Sequence, residues 1–133
     1  MKFIRTSAFI TFLALCLTSC ASDETKIETI STGFLTDYIN VNYLDAISYC
    51  TDDLAEDLLE LFSEFDGEGE QVKQRIYDAS RNSTFNIASI SIDENAKTAE
   101  VTYELFPPGM DAPFVKHIRL SKNDRIWKIT SIE

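Results

Sequence analysis

The feature that most restricts this chain is a change of hydrophobic period near Ser83. Before it, apolar residues recur at three- and four-residue steps, the spacing of one helix face; after it they alternate, the spacing of a half-buried strand. Ile27, Ile30, Phe34, Tyr38 and Val41 form one helical stripe. After Asn40 and Asn42, the residues Tyr43, Leu44, Ile47 and Cys50 predict a second, short helix. Thr51 stands where a third helix would be capped, with Asp52 and Asp53 in the first turn, where the helix dipole favours anions. Leu54, Leu58, Leu61, Phe62 and Phe65 give that helix its apolar face, Gly67 and Gly69 end it, and Val72, Ile76 and Tyr77 mark a fourth helix ending near Asn82. Four strand-like runs follow, Thr84–Ile92, Lys97–Phe106, Phe114–Leu120 and Arg125–Ile132. Asp93-Glu94-Asn95 and Lys122-Asn123-Asp124 supply tight turns, and Pro107-Pro108-Gly109 a longer loop. Such short connections favour an antiparallel meander, which leaves one sheet face for the helices to cover. The expected fold is α+β, N-terminal helices packed on a curved four-stranded antiparallel sheet.

At 133 residues the chain suits one domain. Apolar residues make up 44% and aromatics 11%, enough for a core, which excludes wholesale disorder. The net charge of −10 repels phosphate backbones, so no nucleic-acid partner is expected.

The first residues read as a leader rather than as part of the fold. Lys2 and Arg5 precede the apolar run Ala8–Thr18, the layout of a secretory signal. The uncharged stretch from residue 6 to residue 22 is 17 residues long and contains several hydroxyls, short of the ~20 mostly apolar residues of a spanning helix. Leu17-Thr18-Ser19-Cys20 resembles a bacterial lipobox. That resemblance implies cleavage before Cys20, a diacylglycerol on its thiol and an acyl chain on the new amine. One acyl chain holds a protein only marginally and two or more hold it firmly, so lipidation predicts a stable membrane anchor. Residue 21 is Ala rather than Asp, unlike the enterobacterial inner-membrane retention signal, and Ser22-Asp23-Glu24 resembles the acidic tract of surface-exported lipoproteins of Bacteroidota. The expected organisation is therefore a signal peptide over 1–19, a lipidated tether over 20–25 and a single domain over 26–133. The expected location is the bacterial cell envelope, at the outer membrane. Cys16 leaves with the leader and Cys20 becomes a thioether; Cys50 alone remains, read as a small buried hydrophobe.

Phe34–Thr51 (FLTDYINVNYLDAISYCT), the acidic helix after it, and the late strands ending in Ile126-Trp127-Lys128-Ile129 resemble the nuclear-transport-factor-2-like, cystatin-like superfamily. The pattern is most similar to the small single-domain lipoproteins of Bacteroidota. The resemblance implies a cone, a curved sheet wrapped on helices with an opening at one end. Isomerases, dehydratases and protein-binding modules share that fold.

Residues 52–70 hold nine acidic side chains and no base. A calcium loop starting at Glu64 puts Gly69 at position six but Arg75 at position twelve, where a bidentate Glu is required, so the run is read as a solvated acidic face and no metal is expected. Residues 23–70 carry 14 acids and one base, residues 71–133 eight acids and nine bases. Lys116, Arg119, Lys122, Arg125 and Lys128 lie on the last hairpin, either as a patch for an anionic ligand or as an ordinary mixed-charge strand surface. Tyr38, Tyr43, Tyr103, His117 and Trp127 are the candidate lining of a ligand pocket. His117, the only histidine, would serve as an acid or base if it faced the cone interior near a tyrosine. Glu100 and Glu104 alternate with Val101, Tyr103 and Leu105 and are expected to point outward, which leaves isomerase chemistry without an inward carboxylate. The leading expectation is a noncatalytic, membrane-anchored binding module for a small molecule, a glycan or a protein, with no cofactor. Two further readings are a small acid–base enzyme using the cone, and an assembly subunit recognising another chain through an apolar outer sheet face.

Overall fold

A computed structural model describes residues 22–133; the leader and Cys20 lie outside the described residues. Ser22 caps α1 (Asp23–Ile39), its hydroxyl accepting from the Thr25 N–H at 3.2 Å. The helix therefore starts at Asp23, inside the stretch expected to be tether. It buries Ile27, Ser31, Phe34, Leu35 and Ile39. Gly33 lies in the helix interior, where glycine costs up to ~1 kcal/mol; a Cβ there would meet the Tyr49 hydroxyl at 2.6 Å, so the absence of a side chain makes room for that ring.

The helix ends two residues before the predicted stripe does. The N–H of Asn42 donates to the carbonyl of Asp37 at 2.8 Å and that of Val41 to Tyr38 at 3.2 Å, while Val41 adopts φ 62°. This is a Schellman closure with a β-branched residue in the left-handed position usually held by glycine. The predicted second helix divides into α2 (Tyr43–Ala46) and a 3₁₀ turn, Ile47–Tyr49, and Leu44 faces solvent. Thr51 occupies the N-cap position of α3 (Asp52–Asp66) without a side-chain capping bond. Leu54, Leu58 and Phe62 are buried beneath α3, but Leu61 is not: it lies on the flank of the stripe. In α4 (Glu70–Arg81) no residue is buried, and Val72 and Ile76 are exposed.

The sheet is the expected antiparallel meander, β1 (Thr84–Asp93), β2 (Thr98–Phe106), β3 (Phe114–Asn123) and β4 (Ile126–Ile132), in the order β1-β2-β3-β4. Lys97 and Arg125 belong to turns rather than strands, both at positive φ, and β3 runs on to Asn123. The β3–β4 connection is the two-residue loop Asp124-Arg125, with φ 50° and 68°, the dihedral signs of a hairpin turn that matches strand twist. In the β1–β2 turn the Asp93 carboxylate accepts from the N–H groups of Asn95 and Ala96, both at 3.1 Å.

The fold is thus α+β, helices on one face of a curved sheet. Helix α1 touches both β1 and β4, the two edge strands. Edges of a flat four-stranded sheet lie ~14 Å apart, wider than a helix of ~10 Å, and curling the sheet round α1 brings both edges to it. Register shifts between Ile87 and Ser89 and between Arg119 and Leu120 supply bends for that curl. Ala99, Val101, Tyr103, Ile118, Leu120, Trp127 and Ile129 form the sheet side of the core. The free edge of β4 is partly covered: Cys50 pairs with Ile129, whose carbonyl accepts from the Thr51 N–H at 2.9 Å.

Candidate functional site

The five candidate pocket residues do not converge. Trp127 is buried near the start of α1, where its indole N–H donates to Asp23 at 3.1 Å and Lys122 Nζ donates to both oxygens of the same carboxylate at 3.3 and 3.2 Å. The indole N–H, then the ammonium, hold the Asp23 carboxyl below its ordinary value. Tyr103 is core, its hydroxyl donating to the Glu133 carbonyl at 3.3 Å, and burial pushes the phenol to about 12. His117 lies on the sheet face away from the helices, opposite Thr102, whose hydroxyl meets Nδ1 at 3.1 Å; Glu100 and Glu133 carboxylates stand 3.5 and 3.9 Å from the ring nitrogens. The strand alternation that sends Ile118 inward sends its neighbour out, so His117 lines a cleft of about 420 Å³ on the outer face, with Glu100, Arg119 and Glu133, rather than the cone interior. Among the described residues no hydrogen bond joins any two of the five.

The bases of the last hairpin do not form one patch. Lys122 turns inward to Asp23 and Arg119 turns outward to Glu100 at 3.4 Å. Glu100, Thr102, Glu104, His117 and Arg119 bring polar side chains to the outer sheet face, with Val115 exposed beside them. Cys50 is buried, and burial pushes its thiol up to about 11, which leaves it protonated and inert at neutral pH. Among the described residues no group of three or more His, Cys, Asp or Glu is placed to hold a metal ion.

A cleft forms instead at the C-terminal end of α1. The Schellman closure turns the chain so that Val41 is buried, and Asn42 leads into α2. Tyr43 then lies flat on Phe62 of α3, ring centroids 3.7 Å apart and 5° from parallel. Tyr38 and Phe34 continue the aromatic run inward, and Phe65 meets the edge of Tyr43 at 6.0 Å. On one side of Tyr43 a cleft of about 580 Å³ is lined by Val41, Leu44, Leu59, Phe62, Ser63 and Asp66, among others. On the other side a cleft of about 340 Å³ shares Val41, Tyr43 and Asp66 and reaches Phe65, Lys73 and Tyr77. Leu44 is 76% exposed and Leu59 45%. Burial raises the Tyr38 and Tyr43 phenols above their ordinary value, so both stay neutral and serve as packing surface with a hydroxyl tip.

Of the sequence candidates, only Tyr43 lines this cleft, with Tyr38 behind it. Val41, Leu44, Leu59, Phe62, Ser63 and Asp66 were not foreseen as site residues. The signal available was a surplus: Leu59 is a large apolar residue outside the stripe of Leu54, Leu58, Leu61, Phe62 and Phe65. A scan against protein-family models and a search of curated proteins find no match to this chain.

Proposed function

We propose that this chain is a lipid-anchored protein of the bacterial envelope whose α+β domain works as a noncatalytic binding module. The leader supports the anchored half of the reading. The order of basic residues, apolar run, Leu17-Thr18-Ser19 and Cys20 is the substrate pattern of lipoprotein processing. No helix of the described residues is long and apolar enough to cross a membrane. The observation that carries the binding role is the aromatic-floored cleft at Tyr43 and Phe62, with Leu44 and Leu59 left in water beside it. Apolar side chains exposed around a concave aromatic floor are the usual makings of a recognition surface. The cystatin-like resemblance fits the helix-backed curved sheet and is part of the same proposal.

The anchor is tested by growing a bacterial host with labelled palmitate. The parent chain is expected to incorporate label and partition with membranes, while Cys20→Ser incorporates none and moves to the soluble fraction. A Cys20→Ser chain that still partitions with membranes, or a parent mass showing residues 1–19 attached to a free thiol, overturns the anchor.

A further inference from the structure

We propose that the cleft beside Tyr43 and Phe62 docks an amphipathic segment of a partner protein, apolar on the side that enters and rich in Lys and Arg on the side that stays in water. The proposal rests on the binding-module reading and names the partner's chemistry. Shape comes first. The two hollows meet at Val41 and Tyr43 and share Asp66, which makes them one groove running between the α1–α2 turn and the helices α3 and α4. Leu44 and Leu59 stand on one wall, and Phe65 and Tyr77 carry the aromatic floor into the second hollow. An apolar helix face inserting anchors at every third or fourth residue fits such a groove. Val41 keeps its left-handed backbone at a cost of order 1–3 kcal/mol, and its side chain is part of both walls.

Charge then selects the occupant. Asp45, Asp66 and Glu70 line the groove against a single base, Lys73. Glu56 and Glu60 lie one turn from Leu59 and Ser63 on the same flank of α3, and both are exposed. Residues 23–70 as a whole carry 14 acids and one base. A second copy presenting the same face would bring like charges together, and an anionic lipid surface would be repelled. A cationic amphipathic segment satisfies both the apolar floor and the acidic rim.

The probe is a fluorescein-labelled peptide of about 18 residues, five helical turns, with leucines on one face and lysines on the other. It is titrated into the full chain in uncharged detergent micelles, with empty micelles as blank. Saturable binding is expected, weakened by added salt and absent for a matched leucine–glutamate peptide. The double substitution Leu44→Asp with Leu59→Asp is expected to weaken binding about tenfold or more. Both sites are exposed, so the fold is not at risk, and the added negative charge would by itself strengthen attraction for lysine; a loss therefore reports the apolar contact. Val115→Asp, on the exposed outer sheet face, is expected to bind as the parent does. Undiminished binding by the double variant, equal loss in Val115→Asp, or self-association that the double variant abolishes without any peptide binding each overturn the proposal. The Cys20→Ser chain is expected to bind the peptide like the parent, so failure of the anchor and failure of the groove are read separately.

Discussion

Helices α3 and α4 follow one another, have 15 and 12 residues, and both read as amphipathic, yet only the first is built into the core. Leu54, Leu58 and Phe62 of α3 lie buried against the 3₁₀ turn, β4 and the aromatic run from α1. Helix α4 buries nothing; it is held by Tyr77 against Phe65, with ring centroids 6.3 Å apart, and by Ser80, whose hydroxyl donates to the Ile39 carbonyl at 2.8 Å. The lesson is that apolar spacing reports which side of a helix turns inward. It does not report whether another element is there to meet it.

The largest effect that tests this contrast comes from truncating one aliphatic residue in each helix. Leu58→Ala is expected to cost about 2–5 kcal/mol in urea unfolding, and Ile76→Ala under about 1 kcal/mol. Amide exchange in α4 should run ahead of that in α3. Equal losses would break the comparison. Next comes a pair of serine deletions with opposite signs. The Ser31 hydroxyl of α1 is fully buried and has no hydrogen-bond partner among the described residues, so Ser31→Ala is expected to raise stability by about 1 kcal/mol. Ser80→Ala, which removes a tie of α4, is expected to lower it by about as much. Thermal unfolding of both variants sharpens the comparison, because the dry layer gains from losing a hydroxyl and the loose one does not.

The smallest effect is a pH dependence at the start of α1. Asp23 is held below its ordinary value of 3.8, so its bonds stabilise the fold fully above that value and fade as the pH falls through the lowered one. Asp23→Asn is expected to be less stable than the parent at neutral pH, with the gap closing on acidification below 3.8. A gap that stays constant down the acid limb would mean that the Trp127 and Lys122 bonds contribute nothing through ionisation.

Much of the fold was legible because alternation and helical spacing are local signals. Asp93 and Asn95 marked the first hairpin turn, and the strands fell where the period changed. What was not legible depended on partners far away in sequence or on unusual backbone. Val41 extends the helical stripe on paper, but the chain closes the helix two residues early, in a conformation that glycine would have announced and valine does not. Asp124 and Arg125 both take positive φ without a glycine, so the second hairpin turn was placed one residue early. The site suffered most, because reading aromatic residues as a shared lining ignored direction. Trp127 and Tyr103 were claimed by hydrogen bonds at other points of the core, and the groove arose where an exposed Leu59 met the turn after α1.

The triple tie of Asp23 to Trp127 and Lys122 has a mechanical outcome. It fastens the first helical residue to the sheet, directly after the Ser22 cap. The 17 residues of α1 then act as a strut about 26 Å long. The recess past Ile39 thus sits a full helix length away from the fastened end, held at a fixed reach from it.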